Sequence, residues 1–422
     1  MRASHHVSIL TATVVLGACV EIIDDPTPQG GGGAGAGGTA SATGGSDQGA
    51  GGVGGAGGFG GLGGSGGSEP GVVEGCEKLE WAGEPIVVPA SGSREVHLVR
   101  LEDGQVGVVY VDNTLQDPGE VVASFTIDDP FGAWPPAFSA PVEHVVDQFY
   151  NNPGLLSARP DGTVAMSGGA HALFTLGQPD LMRRLDGGAT PLVAPTPDGG
   201  FYETHANFDT NELEIEHYAT IDQAEGNPLE ALPVDSACLT VRAAPHGADL
   251  LVAAASAYYC DDGVHTTTIL RLSPSGFVTT AAFDIPAWAV KQRLLSHSGG
   301  GYWYGVVSED GTPRLVAYPL DAAGTLAGDP WLVESEDERY VRDLTSWRDG
   351  IAFAYNDYMS MGVAVFDGKN RSYVDVPDPG VFTGSRNYAP MLSGGPDERS
   401  ILLAYASLEG IRVRRADCVA AR

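Results

Sequence analysis

The chain has 422 residues, enough for one large folded core, and it carries 54 Asp and Glu against 23 Lys and Arg, for a formal net charge of −31. Such an acidic surface repels phosphate backbones, which excludes nucleic acid as an expected partner. Simple solubility, a cationic ligand or a metal ion would each account for the acidity.

The first 18 residues have the pattern of an export signal. Arg2 supplies the positive charge, an apolar segment begins at Val7, and small residues lead into Cys19. The apolar run is too short to form a membrane-spanning helix. We therefore expect residues 1–18 to be a cleaved signal and the rest of the chain to be exported.

The tetrad Leu16–Cys19, with the sequence Leu-Gly-Ala-Cys, resembles the lipobox of bacterial lipoproteins. This resemblance implies that the Cys19 sulfur receives diacylglycerol, that the signal is cut before it, and that the new α-amine is acylated, for instance by palmitate. No Asp follows the cysteine, which in that family implies the outer membrane. The partner would then be the lipid bilayer, with residues 19–29 as the acylated N-terminus. The alternative is an ordinary cleaved signal in which Cys19 is incidental.

From Gly30 to Gly71 the chain is almost wholly Gly, Ala, Ser and Thr. Such a segment cannot bury enough apolar surface to offset the entropy lost on ordering. We assign residues 30–75 to a disordered tether, whose flexible coil would let a folded domain stand off the membrane.

One hairpin pattern, an apolar strand followed by a glycine turn and a second strand, recurs along residues 76–422. Its copies are HLVRLEDGQVGVVYVD from His97, LLSARPDGTVAMSGG from Leu155, PLVAPTPDGGFYETHA from Pro191, LTVRAAPHGADLLVAAASAY from Leu239, KQRLLSHSGGGYWYGVVS from Lys291, VRDLTSWRDGIAFAYND from Val341 and PMLSGGPDERSILLAYAS from Pro390. A third strand follows each copy. A repeat of about 40 to 50 residues is typical of propellers, because one small sheet cannot bury its faces alone. The sequence therefore predicts an all-β fold, a seven-bladed β-propeller over residues 76–422.

Fourth strands are expected at PAFSAP from Pro136, LMRRLD from Leu181, NPLEALPV from Asn227, FVTTAAFDIP from Phe277, PWLVES from Pro330 and RSYVDVP from Arg371. Only six of these follow a third strand. The segment EPIVVP from Glu84 resembles them but precedes the first hairpin. We therefore predict that this N-terminal strand pairs with the last strand, IRVRRAD from Ile411, and closes the ring, which removes exposed sheet edges.

The cysteines after the tether fit this scheme. Closure brings Cys76 and Cys418 together, and Cys238 and Cys260 flank one hairpin turn almost symmetrically, which places residues opposite each other across two strands. An exported protein lies in an oxidising compartment, so we predict two disulfides, Cys76–Cys418 and Cys238–Cys260. The rival interpretation, a zinc site, lacks a CxxC pair.

In a propeller, the loops from second to third strand and from fourth to next first strand share one face, around the channel mouth. The predicted ligand-binding residues of that face are Tyr150, Asn152, His205, Asp209, Asp262, His265, Trp288, Tyr340, Asp357, Tyr358, Arg386 and Tyr388. Aromatic rings beside amides and carboxylates suit sugar stacking or peptide capture. The alternative is that the rings pack between blades and the acids are solvated loop charges.

Carboxylates and imidazoles such as Asp262, His265 and His205 could bind a metal, but Asp-Gly is also a common tight turn, and we predict no metal or other cofactor here. No GxSxG, HExxH or P-loop motif is present, so we assign no catalytic residue. The predicted function is non-enzymatic binding of a glycan, peptide or envelope partner by a monomeric, lipid-anchored propeller. The alternative is a secreted carbohydrate-active hydrolase or lyase whose site lies at the channel mouth.

Overall fold

In a computed structural model, the described residues run from Val73 to Ala420, with gaps in connecting segments of which the longest are 148–155, 257–264 and 378–390. The predicted signal, the lipobox and nearly all of the tether lie outside these residues. Every secondary-structure element in the described part is a β-strand. Within that part, no helix has the length and hydropathy that crossing a bilayer requires.

The strands form antiparallel sheets, most of them with four strands in chain order. Two short N-terminal strands are β1 (Lys78–Trp81) and β2 (Ile86–Val88). Sheet 1 contains β3 (Ser93–Arg100), β4 (Val106–Asp112), β5 (Gly119–Ile127) and β6 (Val142–Asp147). Sheet 2 contains β7 (Leu156–Ala158), β8 (Thr163–Met166), β9 (His171–Thr175) and β10 (Leu181–Leu185). Sheet 3 contains β11 (Leu192–Pro195), β12 (Phe201–Asn207), β13 (Glu212–Tyr218), β14 (Asn227–Pro228) and β15 (Leu232–Pro233).

The later sheets repeat the arrangement with longer strands. Sheet 4 contains β16 (Leu239–His246), β17 (Asp249–Ser256), β18 (His265–Ser273) and β19 (Gly276–Ile285). Sheet 5 contains β20 (Ala289–His297), β21 (Gly300–Ser308), β22 (Pro313–Asp321) and β23 (Trp331–Ser335). Sheet 6 contains β24 (Tyr340–Trp347), β25 (Gly350–Asn356), β26 (Met361–Phe366) and β27 (Arg371–Asp375). The last three strands are β28 (Met391–Gly394), β29 (Ser400–Ser407) and β30 (Gly410–Val419).

The sheets are held by apolar side chains packed between their faces. Both faces of the second strands are covered, since every residue of β25 and of β29 is buried. Each face contributes to a cluster shared with the neighbouring sheet; Phe353 of sheet 6, for example, lies in one cluster with Tyr304 of sheet 5. Further clusters join each remaining pair of successive sheets. Fully burying one such side chain contributes about 1.5 to 3 kcal/mol. This stack of twisted sheets is an all-β propeller.

Strands β28, β29 and β30 form one sheet with the N-terminal strands β1 and β2, which both pair with β30. We call these five strands the closing sheet. Ile86–Val88 pairs with Val413–Ile411, and Lys78–Trp81 pairs with Val419–Ala416, so the outer strand comes in two pieces along β30. One face of the closing sheet packs on sheet 6, and the other packs on sheet 1. On the second face, Ile411 and Val413 share a cluster with Phe125. The strand β1 had no counterpart among the strands predicted from the sequence.

The predicted fourth strand of sheet 1 was wrong. PAFSAP, residues 136–141, makes only an isolated bridge between Phe138 and Ile127, and the fourth strand is β6, residues 142–147. Prolines at 135, 136 and 141 remove the backbone N–H groups that a ladder needs, whereas VEHVVD has no proline and three β-branched valines. In sheet 3 the predicted NPLEALPV strand is split into β14 and β15, both paired with β13.

The predicted disulfide between Cys76 and Cys418 is confirmed. The two residues are 342 positions apart, their Cα atoms are 5.1 Å apart, and Cys76 is completely buried. Val73, just before it, is also fully buried and accepts a backbone hydrogen bond from Cys76 at 2.9 Å. Cys238 and Cys260 lie outside the described residues, so their pairing stays a prediction.

Replacing both Cys76 and Cys418 by Ala should lower the free energy of unfolding by about 2 to 5 kcal/mol, because the crosslink restricts the unfolded chain over a very long loop. Denaturant titration of the double variant against the oxidised wild type measures this difference. A loss below about 1 kcal/mol would contradict a stabilising role for the crosslink.

A buried serine–histidine pair lies between sheets 1 and 2. The hydroxyl of Ser124 and Nε2 of His144 are 2.8 Å apart, both residues are completely buried, and the imidazole lies 4.5 Å from the ring of Phe174. Nδ1 of His144 has no hydrogen-bond partner within the described part of the chain. Burial lowers the pKa of His144 below its usual value. The pair is closed off from solvent, and the described residues offer it no third partner, so we interpret it as a neutral element of the core.

Because the pKa of His144 is lower in the folded state, the unfolded chain binds more protons around and below pH 6.5, and stability should fall as the pH drops through that value. A single group of this kind contributes a slope of at most about 1.4 kcal/mol per pH unit. In His144→Gln, which keeps a polar partner for Ser124 but does not titrate, the slope between pH 7.5 and 5.5 should be shallower. Equal slopes in urea titrations of both proteins would contradict the assignment.

Candidate functional site

Three of the predicted ligand-binding residues have a described backbone, and all three lie at one end of their sheets. His205 is on β12 opposite Glu214, His265 is the first residue of β18, and Tyr340 is the first residue of β24, opposite Asn356. This is the end at which second strands lead into third strands and fourth strands lead into the next first strand. We call it the loop end.

The other predicted ligand-binding residues lie outside the described part of the chain. They are Tyr150, Asn152, Asp209, Asp262, Trp288, Asp357, Tyr358, Arg386 and Tyr388. Their roles stay predictions, as does lipidation at Cys19. Among the side chains that the structure describes, no three His, Cys, Asp or Glu residues are grouped so that they could hold a metal ion.

Asn356, which the sequence prediction did not include, ends β25 directly before the predicted Asp357 and Tyr358. Its side chain is completely buried, and among the described residues neither its amide nitrogen nor its amide oxygen has a hydrogen-bond partner. Leaving a buried amide unpaired costs about 1 to 3 kcal/mol. The only sequence signal is one amide at the end of an otherwise apolar strand, GIAFAYN. The Asn356 amide therefore keeps its hydrogen-bonding capacity.

The same end of sheet 6 is tied to the closing sheet. The hydroxyl of Tyr355 donates to the Asp375 carboxylate past Gly362, where an added Cβ would overlap that hydroxyl. The indole Nε1 of Trp81, on β1, donates to the backbone oxygen of Asp375 at 2.7 Å. The outer strand β27 of sheet 6 and the N-terminal strand β1 are therefore joined by a hydrogen bond next to the loop end.

At the opposite end of the sheets, described acids stabilise the turns. Carboxylates there accept hydrogen bonds from backbone N–H groups two to four residues ahead; they belong to Asp103, Asp161, Asp321 and Asp367. Glycines 104 and 162 follow two of these acids with φ of 87° and 89°, a conformation that other residues rarely adopt. These acids at the opposite end therefore act as turn residues.

Arg159 supports one of these turns from within. It is nearly buried, and its guanidinium donates to the Asp161 carboxylate, to the hydroxyl of Thr163 at 2.8 Å and, on sheet 3, to the backbone oxygen of Thr196 at 3.1 Å. Partial burial alone would raise the pKa of Asp161, but the hydrogen bonds from Thr163 and Arg159 outweigh it and lower that pKa. The group is internally satisfied, so it leaves little free capacity for a ligand.

The chain matches no known protein family, and no curated protein sequence matches it either. Its fold is similar to several solved propellers. Apo AztD from Citrobacter koseri has 13% identity and a TM-score of 0.42, covering 77% of this chain and 90% of that one. The propeller domain of the Trilobed protease from Pyrococcus furiosus has 10% identity and a TM-score of 0.45, covering 76% and 95%. The WD40 domain of SCAP from fission yeast has 11% identity and a TM-score of 0.41, covering 79% and 98%. At these values the likeness carries no argument about activity.

Proposed function

We propose that this protein is a bacterial outer-membrane lipoprotein whose propeller binds a glycan, peptide or envelope partner at the loop end, without catalysing a reaction. The domain would be a ring of seven blades, made of sheets 1 to 6 and the closing sheet. A tether of residues 30–75 would connect it to an acylated Cys19.

The proposal of a closed ring is supported by the closing sheet. Its outer strand comes from residues 78–88 and its other three strands from residues 391–419, and it shares apolar clusters with both sheet 6 and sheet 1. A closed ring leaves no sheet face exposed, and the crosslink from Cys76 to Cys418 would hold the closure. Rigid closure suits a binding scaffold, because ligand loops are then carried on fixed strands.

The observation that favours the loop end as the binding face is the contrast between the two ends. Described acids at the far end are engaged in turns, whereas the strands carrying His205, His265 and Tyr340 all meet the loop end. Convergent polar groups at a channel mouth are the usual setting of a propeller ligand. No described arrangement favours the hydrolase or lyase alternative.

Changing Cys19 to Ser should release the protein from the membrane fraction, because acyl chains supply the membrane affinity. Export should be unchanged, since the apolar signal remains. Fractionation and immunoblotting of cells expressing either form measure this, with Ser41→Ala in the tether as the matched control. Retention of Cys19→Ser in the outer membrane would contradict the lipid anchor.

Replacing Trp288 and Tyr388 by Ala should weaken binding to the ligand found on glycan and peptide arrays by about tenfold or more, because aromatic contacts dominate binding energy at such sites. Val278→Ser is the matched control: it changes a side chain 67% exposed on the outer strand β19. Unchanged binding by both aromatic variants would contradict the proposed face. Mass spectrometry of the incubated glycans provides the second readout, since cleaved products would favour the hydrolase or lyase.

A further inference from the structure

Two arginines of the closing sheet face sheet 6. Arg412 pairs with Tyr405 and Arg414 pairs with Leu403, and directly paired residues project to the same side of a sheet. Tyr405 and Leu403 belong to the apolar cluster shared with sheet 6. We call the gap between these two facing sheets the closing seam. Because the alternate residues Ile411 and Val413 pack on sheet 1, both arginines lie on the seam side.

Arg414 is a buried cation without a carboxylate. It is 7% exposed, its Nε donates to the Tyr405 hydroxyl at 3.3 Å, and its guanidinium carbon lies 5.7 Å from the centre of the Trp81 ring. No ion pair joins it to any acid in the described chain. Buried charges in proteins are paired as a rule, because desolvation costs several kcal/mol per ion. Within the described part of the chain the guanidinium hydrogen-bonds only through Nε, so its terminal N–H groups can bind a further acceptor.

Tyr405 stands between two guanidinium groups. It is completely buried, accepts the Arg414 hydrogen bond, and lies directly opposite Arg412. Arg412 donates to Glu409 at 2.7 Å; burial alone would lower its pKa, but Glu409 and Tyr405 outweigh burial and raise it. Since the Tyr405 oxygen acts as acceptor towards arginine, its O–H remains a donor. Two cations and one hydroxyl donor are the groups that bind an oxyanion.

Sheet 6, which faces the two arginines across the closing seam, contributes an unpaired amide. Asn356 pairs with Met361, and Met361 lies in the same apolar cluster as Tyr405, so the Asn356 side chain is on the seam side of sheet 6. No described residue is a hydrogen-bond partner of its nitrogen or oxygen. Asp343 of sheet 6 is also buried, and its carboxylate accepts a hydrogen bond from the backbone N–H of Leu392 at 2.7 Å. The amide of Asn356 is therefore a further donor available within the seam.

We propose that the closing seam binds a small oxyanion, the carboxylate or phosphate group of a ligand, held by Arg414 and Arg412 with the hydroxyl of Tyr405 and the amide of Asn356. A guanidinium presents paired N–H donors that match the two oxygens of either group. The seam would admit the anion where Arg412 reaches the surface, since its side chain is 14% exposed. This site does not depend on the loop-end ligand or on the lipid anchor.

The test uses the whole mature chain with inorganic phosphate and, separately, sodium acetate, each compared with sodium chloride at equal ionic strength. A bound anion raises the melting temperature in a saturable way, because it stabilises only the folded state. We expect such a rise with at least one of the two anions, and which one produces it tells phosphate from carboxylate recognition. Isothermal titration calorimetry of the wild type measures the same affinity directly.

Arg414→Gln should abolish the saturable rise, while Arg271→Gln, which removes a half-exposed arginine paired with Asp249 on sheet 4, should leave it unchanged. Tyr405→Phe keeps the ring and should weaken anion binding about tenfold, the effect of losing one charge-assisted hydrogen bond. If Arg414→Gln does not fold cooperatively, the test uses Tyr405→Phe and Asn356→Leu, both of which should weaken anion binding. No saturable effect of either anion on the wild type, or full retention of the effect in these variants, would overturn the proposal.

Discussion

The rest of the structure depends on one constraint: both faces of each sheet must be buried. In an ordinary antiparallel sheet one face meets water and residues alternate between apolar and polar. Here β25, β26 and β29 are buried at every position. Such strands cannot form an isolated sheet, so each sheet needs a neighbour on either side. The N-terminal strands β1 and β2 meet the same need where the two chain ends come together.

Local features of the chain are enough to predict most of the strands. Each first hairpin has an apolar run, a turn rich in glycine and a second apolar run, and this information lies within about 20 residues. The prediction failed where pairing depends on distant parts of the chain. Residues 136–141 looked apolar but contain prolines, and β1 is a four-residue segment, KLEW, whose partner β30 is more than 300 positions away. The closing disulfide was predictable because the repeat pattern itself brought Cys76 and Cys418 together.

Site residues were harder to predict for a physical reason. The sequence shows which side chains are polar, but whether a buried group finds a partner depends on the sheet that faces it. Arg414 and Arg159 are both nearly buried, yet Arg159 meets an acid, a hydroxyl and a carbonyl, whereas Arg414 meets a phenol and an indole ring. Asn356 likewise looks like an ordinary strand end in sequence. Its orphaned amide is visible only once the neighbouring sheet is in place.

The closing seam combines an apolar cluster with two arginines and an unpaired amide. Other seams also contain an arginine: Arg371 of sheet 6 donates to the backbone oxygen of Leu332 on sheet 5 at 3.3 Å. Apolar residues of similar volume usually stabilise such positions better than buried charges do. This seam also lies next to the crosslink between Cys76 and Cys418, which joins the N-terminal strands to β30. Because the crosslink restricts the unfolded chain, it contributes stability against which the cost of the buried charges can be set.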